Sequence, residues 1–182
     1  MSDAIEVPER DPRYPIGKPI LPQVVEPDVL HSAIRDLAEM PELLRNALNG
    51  LVENELATPY RSGGWTVRQL VHHIADSHMN AFLRVRLALT EDNPVISVYD
   101  EKAWAALHDS VSAPVEWSLE LVESLHARWV MMLQALTAEE WKRTFVHPER
   151  GPQSLETATV LYAWHSRHHV AHITHLRAEK GW

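Results

Sequence analysis

Cysteine is absent from the 182 residues. That excludes disulfides, thiolate metal ligands and a cysteine nucleophile, and leaves histidine and carboxylate as the strong metal-binding groups. No run of 18 apolar residues occurs, and the N-terminus lacks the apolar stretch of a secretory signal, so the expected compartment is the cytoplasm and no membrane span is expected. Clusters of basic residues are missing too. With Lys+Arg 17 against Asp+Glu 25 the net charge is −8, which argues against nucleic acid and against an anionic membrane as partners. Glycine is scarce, and the Gly63-Gly64 pair lacks the lysine and third glycine of a phosphate-binding loop.

The length fits one domain able to bury a sizeable core. Residues 1–27 hold Pro8, Pro12, Pro15, Pro19, Pro22 and Pro27, which rules out a helix and predicts an extended arm ahead of a domain spanning 28–182. From Asp28 the pattern turns helical, with Leu30, Ile34, Leu37, Leu44 and Leu48 on one side and Pro41 marking a kink or break. A second long helix opens at Thr66, where Thr66 and Gln69 stand in capping-box positions and Val67, Leu70, Val71, Ile74, Ala81, Phe82 and Val85 form the apolar stripe. "SLELVESLHARWVMMLQAL" predicts a third, and "SLETATVLYAWHSRHHVAHITHLRAE" a fourth that ends before Gly181. Short helices are expected at Lys102–Leu107 and after Thr137, which pairs with Glu140 in a second capping box, and "TFVHPERG" fits a small strand or turn. Four long amphipathic helices with little strand predict an all-α fold, an antiparallel four-helix bundle.

Twelve histidines are present, and five of them fall between Trp164 and His175. Residues i and i+4 of a helix lie nearly one above the other. His165 and His169 form such a pair, His172 lies between them in angle one turn on, and Ala158, Leu161, Ile173 and Leu176 share or adjoin that face. The imidazoles therefore interrupt an apolar stripe. A polar group buried without a partner costs roughly 2–7 kcal/mol, so the cluster needs hydrogen bonds or a divalent cation. His-x-x-x-His can converge on one ion. A third ligand would come from "HHIADSH", where His78 lies in the apolar stripe, His72 on one flank beside Arg68 and Arg86, and His73 on the other with Gln69, Asp76, Ser77, Asn80 and Arg84. Helical angles favour His73 without settling the choice.

Other metal chemistries fit poorly. Ser166 stands where a zincin protease needs its glutamate base. A di-iron bundle needs Glu-x-x-His on two helices, and only Glu123 and His126 supply one. Three neutral histidines leave a coordination position open, as catalytic sites do.

The segments "TPYRSGGWTVRQLVHHIADSHMNAFLRVRLALTE", "YDEKAWAALHDS", "LHARWVMMLQALT" and "LYAWHSRHHVAHITHLRAEKGW", with "YPIG" at Tyr14–Gly17, resemble the YfiT branch of the DinB-like superfamily over nearly the whole chain. The resemblance implies a four-helix bundle, a homodimer, and one divalent metal ion held by His73, His165 and His169, with zinc expected first and nickel next. It also implies an enzyme acting on a small molecule. Members are described as metal-dependent hydrolases, while related proteins are thiol S-transferases that activate a low-molecular-weight thiol such as bacillithiol. A non-catalytic protein that binds metal or ligand is the reading from outside enzymology.

Around the triad, Asp76, Asn80, Arg84 and His172 are the candidate catalytic or substrate-contacting residues. His172 also fits a satisfied core histidine, and His168 and His175 are expected at the surface. Tyr99, Asp100 and Arg128 are candidate cleft residues, and Trp65 and Trp164 candidate pocket walls.

Overall fold

The computed structural model describes residues 11–182; the first ten, with Pro8 and the start of the expected arm, lie outside the described residues. Residues 11–26 form turns but no helix or strand. The four long helices are α1 (Pro27–Leu48), α3 (Val67–Thr90), α6 (Val115–Gln134) and α8 (Leu155–Lys180). Between them lie α2 (Glu53–Leu56), α4 (Glu101–Ala105), α5 (His108–Ser112) and α7 (Ala138–Trp141), and a ribbon of β1 (Thr144–His147) and β2 (Gly151–Ser154). The mostly helical four-helix bundle expected from the periodicity is the fold observed.

Local chemistry sets the helix ends. The Thr66 hydroxyl accepts the Gln69 N–H at 3.2 Å and the Gln69 side chain accepts the Thr66 N–H at 3.0 Å, the expected reciprocal cap of α3. Thr137 and Glu140 do the same for α7. Gly181 ends α8 at φ 74°, a left-handed turn that glycine adopts without a Cβ clash. Pro41 does not break α1, which runs continuously through it. Lacking an N–H, Pro41 leaves the carbonyl of Leu37, four residues back, without its helical donor.

Contacts along the helices fix their directions. Arg177 donates to the carbonyls of Ala47 and Asn49 at the end of α1, and Arg167 pairs with Asp36 further back, so α1 and α8 run the same way. His72 meets Ser118 and His78 meets His126, so α3 and α6 also run together. Opposite directions hold between α3 and α8, where His73 faces His169 and Arg84 faces Tyr162, and between α1 and α6, where Arg45 pairs with Glu123. Because α3 and α6 are parallel neighbours, the link 91–114 must travel back along the bundle, roughly 30 Å for helices of this size. It carries α4 and α5 across α3 on the way. That return lays Tyr99, Asp100 and Glu101 beside the histidines.

The core divides into two apolar clusters. One gathers around Trp129 with Leu37, Phe82, Val85, Leu133 and Leu155; the other gathers Leu44, Leu70, Ile74, Val122 and Ile173. His78 of α3, His126 of α6 and His165 of α8 meet inside the bundle, His78 and His126 against the Trp129 ring. The ribbon pairs Thr144 with Ser154 and His147 with Gly151, and so brings His147, Arg150 and Gln153 to the same cleft as His165.

Candidate metal centre

His73, from α3, meets His165 and His169, from α8, and one ring nitrogen of each lies within 4.8 Å of the others. His165 Nε2 and His169 Nε2 are 3.0 Å apart. Adjacent donors in a tetrahedral site stand about 3.3 Å apart when metal–nitrogen bonds are ~2.0–2.1 Å. The donor set therefore fits a divalent ion. Burial pushes the pKa of His73 down to about 4 and those of His165 and His169 well below the usual value. All three rings are thus held neutral, the form a metal takes.

The triad opens onto a cleft of about 980 Å³ that includes His73, His165 and His169 in its wall. Trp65 and Trp164 are walls, as expected, and Tyr99 and Asp100 line it too. Tyr14, Pro19 and Leu21 close one side from the segment before α1. Arg84 and Arg150 face Glu101 and Glu149 across the polar end. Burial raises the Glu101 pKa, while Arg150 and Arg84 pull it back down.

The structure separates the remaining candidates. Arg84 lines the cleft, where its guanidinium donates to the Tyr162 hydroxyl at 3.4 Å and the Ser97 carbonyl at 3.3 Å. Asp76 and Asn80 are not in the lining; Asn80 donates to the Asp76 carbonyl one turn back, a bond internal to α3. Asp76 is half-buried, and burial, then Asp109, raises its pKa to about 6. Arg128 lies over the Phe82 ring, away from the cleft. His72 turns from the triad to Ser118, 2.7 Å away.

His168 corrects an expectation: it is buried rather than at the surface, whereas His175 is exposed. Trp164 stacks on His168 with ring centroids 4.4 Å apart, and Tyr14 covers it from the segment before α1. An irregular segment leaves no periodicity from which that cover can be read. His168, His169 and His172 form a second group with nitrogens within 4.8 Å. Sharing His169 between two ions would require a doubly deprotonated imidazole, so the group opening onto the cleft is the better site. His172 is buried with neither ring nitrogen in a regular hydrogen bond, and the backbone of Pro12 and Arg13 lies beside it.

Comparison with known proteins places this architecture. The family model of the DinB superfamily matches residues 36–173. The chain belongs to the DinB superfamily. Within that superfamily it is 48% identical over 170 residues to a protein of Oceanobacillus iheyensis provisionally named a metal-dependent hydrolase, covering 93% of this chain and 98% of the relative. A Bacillus cereus relative with the same provisional name is 49% identical over 172 residues, covering 94% and 99%. Among solved structures, YfiT from Bacillus subtilis superposes with a TM-score of 0.91 at 46% identity, over 94% of this chain and 98% of that one. It is described as a probable metal-dependent hydrolase with an unusual four-helix bundle topology.

Proposed function

We propose that this DinB-superfamily protein is a metal-dependent hydrolase that acts on a small molecule bound in the cleft. The observation that carries the reading is the meeting of His73, His165 and His169 at the wall of an open cleft. Those three residues would hold the ion, zinc first and nickel next, because imidazole suits both. A bound divalent cation supplies Lewis acidity and lowers the pKa of whatever nucleophile binds it.

The chain's own groups do the rest. Arg84, held by Tyr162 and Ser97, presents a fixed cationic donor to an oxygen of the substrate. Trp65, its ring 4.6 Å from His73, and Trp164 shield the site from bulk water and give an apolar substrate a flat wall. Asp76, Asn80 and His172 are set back from the lining, and of these His172 packs its ring 5.5 Å from that of His169. Residues 28–182 form the metal-binding domain, preceded by residues 1–27 as an arm. The protein works as a cytoplasmic homodimer with no nucleic-acid or membrane partner. No helix among the described residues is long and apolar enough to cross a membrane.

A substrate screen on the zinc- and nickel-loaded protein tests it. Esters, amides and lactones are offered in water alone, and electrophiles with and without bacillithiol or cysteine. The expected result is turnover that needs metal, survives without thiol, and disappears on chelation. Consumption of electrophiles only with thiol would replace the reading with an S-transferase. No turnover of any substrate by fully loaded protein would leave a binding protein.

A further inference from the structure

Two buried histidines outside the triad, His78 of α3 and His126 of α6, are 0% and 1% exposed and form a continuous chain to it. His126 Nδ1 lies 2.6 Å from the Leu37 carbonyl oxygen, and His126 Nε2 lies 2.8 Å from His78 Nδ1. His78 Nε2 lies 3.0 Å from His165 Nδ1, and His165 Nε2 is the atom turned to His169.

The order of protons along this chain follows from its closed end. A carbonyl oxygen only accepts, so His126 Nδ1 carries a hydrogen. Burial without a carboxylate partner keeps each ring neutral, with one hydrogen apiece. His126 Nε2 is then bare and accepts from His78 Nδ1–H. His78 Nε2 is bare in turn and accepts from His165 Nδ1–H. His165 is left with its lone pair on Nε2, aimed into the triad. The proline in α1 supplies the fixed end, since Pro41 has no N–H to give the Leu37 carbonyl.

We propose that His78 and His126 are positioning residues that lock His165 in the tautomer and orientation required of a metal ligand, with the Leu37 carbonyl freed by Pro41 as their anchor. The proposal rests on the metal-centre reading above. A ligating histidine generally donates its second N–H to a carbonyl or carboxylate, which fixes the ring and raises its basicity. Here two further imidazoles carry that role across the bundle from α8 to α1.

The test begins with the metal-free wild type labelled with nitrogen-15 in its histidines. Long-range proton–nitrogen correlation of the imidazoles is expected to show His165 protonated at Nδ1 and bare at Nε2, with the same pattern at His78 and His126. Zinc affinity is then measured by chelator competition. His126→Leu removes the acceptor for His78 and is expected to weaken zinc binding roughly 10–100-fold. His126→Gln, whose amide oxygen can accept from His78, is expected to stay within about threefold of wild type, on the same expectation for a restored supporting bond. Circular dichroism confirms that each variant keeps its helices.

Wild-type His165 protonated at Nε2 would overturn the proposal, as would a folded His126→Leu protein with unchanged zinc affinity. If His126→Leu does not fold, the wild-type spectrum alone decides. A wild type that takes up no zinc would strike at the metal-centre reading instead, and the proton order in the same sample would show whether the histidine chain survives it.

Discussion

His169→Ala is expected to strip the protein of stoichiometric metal and to abolish turnover while leaving the bundle folded. The substitution removes one of three donors whose nitrogens lie within 4.8 Å of one another. Losing a hydrogen bond that merely supports a ligand costs roughly 10–100-fold in affinity, so losing the ligand itself should cost more. Alanine is the best helix former and stands here inside α8, so backbone propensity does not suffer. His169 also lines the cleft, which lets water take up the space left behind. Elemental analysis after desalting, set beside circular dichroism, reads both halves of the prediction. His175→Ala, on the exposed side of the same helix, should keep its metal. A His169→Ala protein that retained a full equivalent would remove that residue from the site.

The metal-free protein is expected to lose stability steeply as pH falls below neutrality. Burial holds the pKa of His126 and His73 near 4 in the fold, against about 6.5 for a histidine in an unfolded chain. Between those values the unfolded chain binds protons that the folded one refuses, so stability rises with pH across this window. The contribution of these rings is complete above about pH 6.5 and is lost as pH drops towards 4. Each such ring is worth on the order of 3 kcal/mol, against a total of about 5–15 kcal/mol for a typical domain. Urea midpoints at a series of pH values from 7.5 to about 4.5 measure the effect, and bound zinc should move the fall to lower pH because it competes with protons for the same nitrogens. A midpoint that stayed flat across this range would mean that these rings are hydrated rather than buried.

The helices were legible because their apolar residues recur at 3.6-residue spacing and because Thr66, Thr137 and Gly181 mark ends by local chemistry alone. Their arrangement was not. Periodicity says which face of a helix is buried but not which helix it faces, and the parallel pairing of α3 with α6 depends on where the return segment 91–114 lies. The histidine chain was hidden for the same reason: His78 in an apolar stripe and a lone His126 gain meaning only once those two helices are neighbours. Pro41 was visible as an irregularity, yet its consequence, a free carbonyl facing His126, needed the packing of α1 on α6. The triad was the easier part. His165 and His169 sit one turn apart on one helix, and the choice among His72, His73 and His78 was narrowed by angle and made by family resemblance.

X-ray absorption at the metal edge of the zinc-loaded wild type probes the centre most directly. Three imidazole nitrogens at about 2.0–2.1 Å with at least one exchangeable light-atom ligand is the result expected. A shell without imidazole, or one filled by four protein ligands that no added anion can displace, would contradict it.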